Sequence, residues 1–258
     1  MSFRAEYRRK ALERLEGFEP PGSLTDADLA HLPRAVQRYL RVTGAVGQPR
    51  VHHVRARWKG RIRSGASSPW MPFTAEQINF VAEPARFFFM RARRGGLPVG
   101  VYHAYHSGAA TMRVRLLSLF PLVHASGPEM RRAETVTVFN DLCVLAPGAL
   151  IDPRIRWEEI DELSVRARFT VEPNMVGADL HFDERGELVD FVSDDRLASL
   201  DNGEFERRRW STPLSDYRTY GPLRAASRGE ARWHVAEGDY AYIELELLEL
   251  EVNGLLLA

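Results

Sequence analysis

The sequence contains very little cysteine and no long apolar segment. Cys143 is the only cysteine among 258 residues, so an internal disulfide and a cluster of thiolate metal ligands are both excluded. The longest uncharged apolar stretch, residues 142–151, has ten residues, whereas a membrane-spanning helix needs about 20. Residues 1–17 carry charges where a secretory signal needs an apolar core. We therefore expect a cytoplasmic protein without a membrane span.

The motifs of the common cofactor-dependent enzymes are also missing. The chain has no G-x-G-x-x-G or P-loop, no H-E-x-x-H, no G-x-S-x-G and no paired C-x-x-C. Dinucleotide binding, phosphoryl transfer, zinc hydrolysis and the usual esterase chemistry are disfavoured for this reason. We predict no cofactor and no metal site, so any chemistry must come from ordinary polar side chains.

Charge is balanced overall but unevenly distributed along the chain. The net charge is zero, yet residues 1–126 hold 20 Lys and Arg against 8 Asp and Glu, and residues 127–258 hold 15 against 27. Two interpretations are open. Basic strands lie beside acidic strands within one domain, or a basic face binds an anionic ligand or nucleic acid. We favour the first interpretation and predict no nucleic-acid partner.

Three segments have the features of helices. Residues 3–16 are charged and amphipathic and stop at Gly17. A second helix follows Thr25, a plausible N-cap, but contains Pro33; either one helix continues through the proline, or Pro33 opens the main helix and residues 26–31 form a separate turn. Residues 128–146 have apolar side chains at three- and four-residue spacing, which predicts an inserted helix.

From residue 51 the apolar period changes to two. Residues 51–63 alternate apolar and basic side chains, which predicts a strand with one face in water. Similar short segments follow, and a change of phase near Leu247 indicates a β-bulge. We predict a mainly β (α+β) fold, a curved antiparallel sheet or half-barrel of about eleven strands with two N-terminal helices and one inserted helix. The expected organisation is a helical segment, 1–50, packed in a single domain with a β half-barrel, 51–258.

Four residues are candidates for acid, base or hydrogen-bonding roles. The alternation of its strand places Asp195 on the inward face. A carboxylate there must be paired, or its pKa must shift. Arg196 or Arg209 is the expected partner. His103 is either a cavity residue or a satisfied core histidine, and Asp141 either faces a pocket or caps its helix. Tyr217 is the candidate hydrogen-bond donor.

Large aromatic residues are spread over the predicted strands and suit either a core or a ligand cavity. Trp70 and Phe73 lie in an apparent loop, which makes them candidates for the mouth or lid of a cavity. Trp210 and Trp233 are candidates for its wall, and Arg209 for holding a polar group of the ligand.

Several motifs occur in a recognisable order. They are WMPFTAEQ (70–77), GPEM (127–130), ETV and FND (134–136 and 139–141), FVSDDR (191–196) and RWSTP (209–213). In these motifs the chain resembles an uncharacterised bacterial domain-of-unknown-function family over residues 24–253. Its architecture also has a distant likeness to the half-barrel lipoprotein carriers, which hold acyl chains against a curved sheet. The resemblance implies a fold, but no activity, cofactor or catalytic residue.

Two functions are compatible with these features. The first is the binding of a small apolar or amphipathic molecule in the concave face of the half-barrel. The second is a cofactor-free enzyme, a cyclase, isomerase or hydrolase, that uses the same cavity on a hydrophobic substrate. A third, weaker hypothesis is that the basic strand at residues 51–63 docks an acidic partner.

Overall fold

The computed structural model describes residues 2–19, 22–199 and 204–254. Within them the chain forms three α-helices and two short 3-10 helices. These are α1 (Phe3–Leu15), a 3-10 helix (Asp26–Leu29), α2 (Arg34–Val42), α3 (Pro128–Leu145) and a second 3-10 helix (Pro147–Ile151). No helix of the described residues has both the length and the apolar character that crossing a membrane requires.

Most of the chain is antiparallel β-structure. The strands are β1 (His53–Ile62), β2 (Met71–Phe80), β3 (Ala85–Arg94), β4 (Leu97–His106), β5 (Ala109–Leu116), β6 (Phe120–Ser126), β7 (Ile155–Glu159), β8 (Ser164–Val171), β9 (Asn174–Phe182), β10 (Leu188–Ser193), β11 (Leu197–Ser199), β12 (Phe205–Arg207), β13 (Arg209–Ser211), β14 (Leu214–Tyr220), β15 (Leu223–His234) and β16 (Tyr240–Val252). Fourteen of them form one sheet, in the order β6-β5-β4-β3-β2-β1-β16-β15-β13-β10-β9-β8-β7 with β14 also beside β15; β11 pairs with β12. The two end strands do not pair with each other, so the sheet is open.

The prediction of a mainly β, antiparallel fold is confirmed, but the predicted number of strands is wrong. The described residues contain sixteen strands rather than about eleven. β7 and β11 have only five and three residues, which is too short for a clear alternation. Residues 205–211 form two strands, β12 and β13, because the chain leaves the pair with β11 and joins the main sheet after Arg208.

The N-terminal helices also differ from the prediction. Pro33 directly precedes α2 as its N-cap, and residues Asp26–Leu29 form a separate 3-10 turn. The second of the two arrangements considered for this segment is therefore the observed one, with three short helices instead of two. A proline has no N–H to donate and fits the first positions of a helix, which explains the break.

The basic strand β1 lies beside the acidic strand β16 in the middle of the sheet. Their ion pairs form a ladder across one face: Arg55–Glu251, Arg57–Glu249, Lys59–Glu246 and Arg61–Glu244. The predicted bulge is present, since the register steps from Arg57 opposite Glu249 to Trp58 opposite Leu247 and leaves Leu248 over. Basic strands thus lie beside acidic ones, and the acidic partner of the 51–63 segment is part of the same chain.

Helix α3 lies on the concave side of the sheet. It contacts β5 and β6 near one end of the strand order and β9 and β10 near the other, which shows that the sheet curves around it. Thirteen of its 18 residues are buried. This burial on all sides explains why the β-branched run at 135–138 is helical: packing outweighs the weak intrinsic preference of those residues.

The other two helices cover opposite faces of the sheet. Phe3, Tyr7 and Ala11 of α1, each four residues apart, pack on the outer face with Phe87 and Tyr102 among others. Helix α2 packs against the concave core, where the Tyr39 hydroxyl donates a 2.8 Å hydrogen bond to the Cys143 carbonyl. Cys143 itself is buried, and burial raises the pKa of its thiol well above the ordinary value.

Candidate functional site

Helix α3 presents two carboxyl groups to the concave face of strands β2 to β4. Glu134 and Asp141 are seven residues apart, which is two helical turns and puts them on the same side of the helix. Both residues are buried. Their placement means that the opposing strands must supply hydrogen-bond donors and positive charge.

Arg86 on β3 supplies that charge to both carboxylates. Its Nε lies 2.7 Å from Asp141 Oδ2, and its Nη1 lies 3.2 Å from Glu134 Oε2. The guanidinium also stacks over the Phe88 ring, with 4.8 Å between Cζ and the ring centroid. One buried cation is therefore shared between two buried acids.

His103 on β4 completes this cluster. Its Nδ1 lies 3.0 Å from Glu134 Oε1, and its ring contacts the edge of Phe88 at a centroid distance of 6.0 Å. The His103 side chain is 19% exposed, against 1% for Glu134. The imidazole is thus the member of the pair that a solvent molecule or a ligand can reach.

Amide side chains of β2 hold the other carboxylate. Gln77 Nε2 and Asn79 Nδ2 donate to Asp141 Oδ2 at 2.6 and 2.9 Å. Trp58 Nε1 in turn donates to Gln77 Oε1 at 3.3 Å. Asp141 therefore accepts three side-chain hydrogen bonds, which fixes its orientation in the core.

The environment moves the pKa values of the two carboxyl groups in opposite directions. Burial raises the pKa of Glu134, but the attraction of His103 and Arg86 outweighs it, so the net pKa lies well below its ordinary value. Burial also raises the pKa of Asp141, and there Arg86 and Asn79 offset the effect only in part. Two acids with separated pKa values are the arrangement from which acid and base roles are usually built.

Two of the predicted wall residues contact Tyr242. Trp210 Nε1 donates to the Tyr242 hydroxyl at 3.1 Å, and Trp233 stacks on Tyr242 with a centroid distance of 5.5 Å. Arg196 lies over Trp210, with Cζ 5.6 Å from the ring centroid. Burial raises the pKa of Tyr242, and the charges of Arg196 and Glu134 act on it in opposite senses.

Asp195 is paired, but not with the expected partners. Its carboxylate contacts Arg132 of α3, lies 3.4 Å from Arg207 and accepts a 2.7 Å hydrogen bond from the Gly177 N–H. The predicted partners, Arg196 and Arg209, do not pair with it in the described part of the chain. Helix α3 and strand β12 approach Asp195 from elsewhere in the sequence, which a strand pattern does not reveal.

Arg209 and Tyr217 make other contacts, away from the charged cluster. Arg209 is exposed and faces Asp194 at 3.5 Å. The Tyr217 hydroxyl donates to the Leu188 carbonyl at 2.8 Å, and Arg224 lies over its ring. Tyr217 also borders a solvent-accessible depression of about 440 Å³, together with the charged side chains of Arg185, Glu187 and Arg224.

Trp70 and Phe73 lie at the end of the β1–β2 hairpin. Arg61 and Arg63 each stack on the Trp70 ring at 4.6 Å. Phe73 is buried and sits opposite Gly60, where a Cβ would come within 2.9 Å of the phenyl ring and 2.2 Å of the Glu244 carbonyl oxygen. Glycine is therefore needed at position 60 for the close approach of these strands.

A separate cavity of about 260 Å³ lies between the concave face and the helical layer. Its floor is Leu223 of β15 with Leu250 and Val252 of β16, and Ala45 and Ala146 contribute from the helical side. Exposed residues at its border connect it with solvent: Pro49, Gly221 and Pro222. None of the nine predicted site residues lines this cavity.

The charged cluster unites His103 and Asp141, two predicted residues that the sequence did not connect. Sequence reasoning missed Arg86 and Glu134. Two signals were present: Arg86 has the parity of the apolar Phe88 and Met90 on its strand, and Glu134 lies two helical turns before Asp141. Within the described residues, no group of three or more His, Cys, Asp or Glu side chains is placed to hold a metal ion.

Comparison with solved structures finds similar folds at low sequence identity. One is a putative outer membrane lipoprotein-sorting protein domain from Vibrio parahaemolyticus (11% identity, TM-score 0.46, 78% of this chain and 85% of that chain). Another is a DUF1329 family protein from Desulfovibrio piger (10%, 0.47, 90% and 94%). A third is a LolA superfamily protein from Nitrosomonas europaea (9%, 0.45, 85% and 94%).

None of the curated proteins matches the sequence. A family model does match, over residues 22–245, and its description is a family of unknown function. This range contains all the motifs on which the resemblance to an uncharacterised family was based. The chain belongs to the family of unknown function DUF6544.

Proposed function

We propose that this protein binds a small apolar or amphipathic molecule between its concave sheet face and its helices. The observation that carries the proposal is the cavity of about 260 Å³ beside Leu223, Leu250 and Val252. The cavity is open to solvent at its border, so a small molecule can enter, and the apolar lining atoms gain contacts when a ligand fills it. A cavity of about 150 Å³ already admits benzene in an engineered core, so this one has room for a larger molecule.

The lining indicates the chemistry of the ligand. Most of the wall is apolar, and polar side chains stand at its border, including Gln48. The Gln48 side-chain amide makes no hydrogen bond within the described residues, whereas Asn253 nearby is already bonded to the His52 N–H and the Arg50 carbonyl. Gln48 thus offers a free donor and acceptor. A compact apolar body with one uncharged polar group fits this arrangement.

Two variants of β16 test the proposal. Val252→Phe fills the cavity, and Leu248→Phe puts the same ring on the exposed bulge of the same strand. Native mass spectrometry of freshly purified wild-type protein and titration with a fluorescent naphthalene probe are the measurements. We expect binding by wild type and Leu248→Phe, and a loss of at least about tenfold in affinity for Val252→Phe, because a filled site leaves no room.

Two results would contradict the proposal. The first is a wild-type protein that carries no small molecule and takes up no probe. The second is equal probe binding by all three proteins, which would move the binding site elsewhere. The thermal unfolding midpoint of Val252→Phe shows whether that variant is folded; Ala45→Leu, on the opposite wall, is the replacement if it is not.

A second candidate function is a cofactor-free enzyme, and the charged cluster favours it. His103 is partly exposed and bonded to a carboxylate whose pKa is lowered, an arrangement that orients an imidazole for proton transfer. The test is metabolite profiling of a deletion strain that is complemented with wild type or with His103→Asn. Failure of a folded His103→Asn protein to restore the profile would support catalysis, and full restoration would remove His103 from that role.

The expected cytoplasmic location is also kept as a proposal. Fractionation of cells that express the full-length chain with an antibody-detectable tag tests it. Recovery in the soluble cytoplasmic fraction supports it, and recovery in an exported fraction contradicts it.

A further inference from the structure

Six of the ten exposed large apolar side chains in the described residues lie in two neighbouring hairpins. They are Leu97, Leu117, Leu119, Phe120, Leu122 and Val123. The hairpins are those of β3–β4 and β5–β6, and the Leu117 N–H donates to the Pro98 carbonyl at 2.9 Å, so the two tips are adjacent. We call these six side chains the apolar tip. Monomeric proteins rarely concentrate exposed apolar residues in this way without a binding role.

The turn that carries the apolar tip is built at a conformational cost. Leu117 has φ +54°, in the left-handed region that favours glycine or asparagine. Its neighbour Leu119 is 75% exposed, and Phe120 is 57% exposed. A turn of this shape with a polar residue at position 117 would be more stable in water, which indicates that the leucine is needed for contact with something else.

Positive charge surrounds the apolar tip. Residues 84–128 contain no Asp or Glu and six arginines, of which Arg86 and Arg113 are paired with acids of other segments. Three of these arginines, Arg91, Arg93 and Arg94, are exposed near the β3–β4 tip, and none has an ion pair with any described residue. Most of the other arginines in the described residues have an acidic partner, as in the ladder between β1 and β16. The free arginines therefore indicate an anionic partner.

The edge strand β6 is poorly suited to pairing with a strand of another protein. Pro121 lies within it and has no N–H to donate, and the register shift at this position leaves Leu122 unpaired as a bulge. Both devices discourage edge-to-edge pairing of strands. A fluid surface that accepts side chains without backbone pairing fits the apolar tip better.

From these observations we infer that the apolar tip and its arginines dock the protein on the surface of an anionic lipid bilayer. Leucine and phenylalanine side chains enter the boundary between headgroups and acyl chains, and the arginines contact lipid phosphates. The inference goes beyond the proposed ligand site and does not depend on it, because the residues of the tip do not line the 260 Å³ cavity.

Sedimentation of the full chain with vesicles tests this inference. The vesicles contain phosphatidylcholine alone or phosphatidylcholine with phosphatidylglycerol. We expect binding to the anionic vesicles that weakens in high salt. Leu119→Asp combined with Phe120→Asp should weaken it at least about tenfold, and Arg93→Ser and Arg94→Ser by about fivefold for each arginine removed.

Met175→Asp is the matched control, because Met175 is as exposed as Phe120 but lies at the start of β9. Its binding should equal that of wild type. The inference is overturned if wild type ignores anionic vesicles, binds both vesicle types equally, or binds as well after the Leu119 and Phe120 changes. Size-exclusion chromatography tests the remaining alternative, a dimer. If wild type is a dimer that does not bind vesicles, and the Leu119 and Phe120 changes convert it to a monomer, the inference is overturned and the tip is an interface with a second copy of the chain.

Discussion

The guanidinium of Arg86 is enclosed between two carboxyl groups inside the protein. Arg86, Glu134 and Asp141 are all buried, and His103 also contacts Glu134. An ion removed from water is tolerated only when it is paired and hydrogen-bonded. Each member of this cluster therefore depends on the others, and loss of the shared cation should affect both acids.

We predict that Arg86→Met destabilises the protein by about 3–5 kcal/mol, because it leaves buried carboxyl groups without their partner. Urea unfolding at pH 7 measures the change. Arg93→Met is the control, since Arg93 is exposed and has no ion pair among the described residues; its effect should stay within about 0.5 kcal/mol. A loss for Arg86→Met as small as that of the control would contradict this account of the cluster.

The opposite pKa shifts predict opposite pH dependences for two amide variants. The lowered pKa of Glu134 gives stability that is present above its ordinary pKa, near 4.5, and is lost as the pH falls through the lower folded pKa. The raised pKa of Asp141 works in reverse, since the ionised form costs stability and protonation relieves that cost as the pH falls.

Relative to wild type, Glu134→Gln should therefore lose most stability near neutral pH, and its deficit should shrink below about pH 4.5. For Asp141→Asn the deficit should be smaller at neutral pH and grow as the pH falls. Urea unfolding at a series of pH values follows both. Deficits that change in the same direction would show that one of the two shifts has the wrong sign.

Strands can pair only where their backbones approach closely, and among the described glycines Gly60 on β1 leaves the least room for a Cβ atom. We predict that Gly60→Ala costs about 1–3 kcal/mol, as overpacked sites do, because the new methyl group meets the Glu244 carbonyl at 2.2 Å. Gly65→Ala is the control, since its methyl group would have only an ordinary contact of 3.5 Å with Ser68. Thermal unfolding distinguishes them, and equal midpoints would refute the prediction.

How far the elements could be predicted depends on the length of their patterns. The alternation at 51–63 is long enough to predict β1 and its solvent-exposed face. The excess of Asp and Glu in residues 127–258 predicts an acidic neighbouring strand. Short strands such as β7 and β11 give no such signal. The split at Arg208 could not be predicted either, because it arises from a change of pairing partner rather than from local sequence.

The candidate site shows the same limit at the level of contacts. His103 and Asp141 stand out individually, but they belong to one cluster only because α3 crosses strands that come 31 to 62 residues earlier in the sequence. Arg86 resembles the other basic residues of the strands. Only its place in the alternation, which it shares with Phe88 and Met90, puts it on the concave face. The 260 Å³ cavity joins segments near residues 45, 146, 223 and 250, and no local pattern connects them.

For the molecule as a whole, ligand binding should appear as stabilisation of the folded state. With a naphthalene probe at about a hundred times its Kd, mass action adds about 2.7 kcal/mol, which corresponds to a rise of about 5–10 °C in the thermal midpoint for a chain of this length. We expect this rise for wild type and Leu248→Phe but not for Val252→Phe. A similar rise in all three proteins would mean that the probe binds outside the cavity.

The pairing of β1 with β16 has a consequence for how the protein is made. One edge of β1 pairs with β2, but its other edge pairs with residues 243–252, which lie 181 to 198 residues later in the sequence. A ribosome releases β1 long before it translates β16, and until then one edge of β1 lacks its partner strand. Contacts of such large sequence separation form slowly, and a nascent chain with an open strand edge is prone to aggregation. The two halves of the sheet can therefore be joined only after residues 243–252 have been translated.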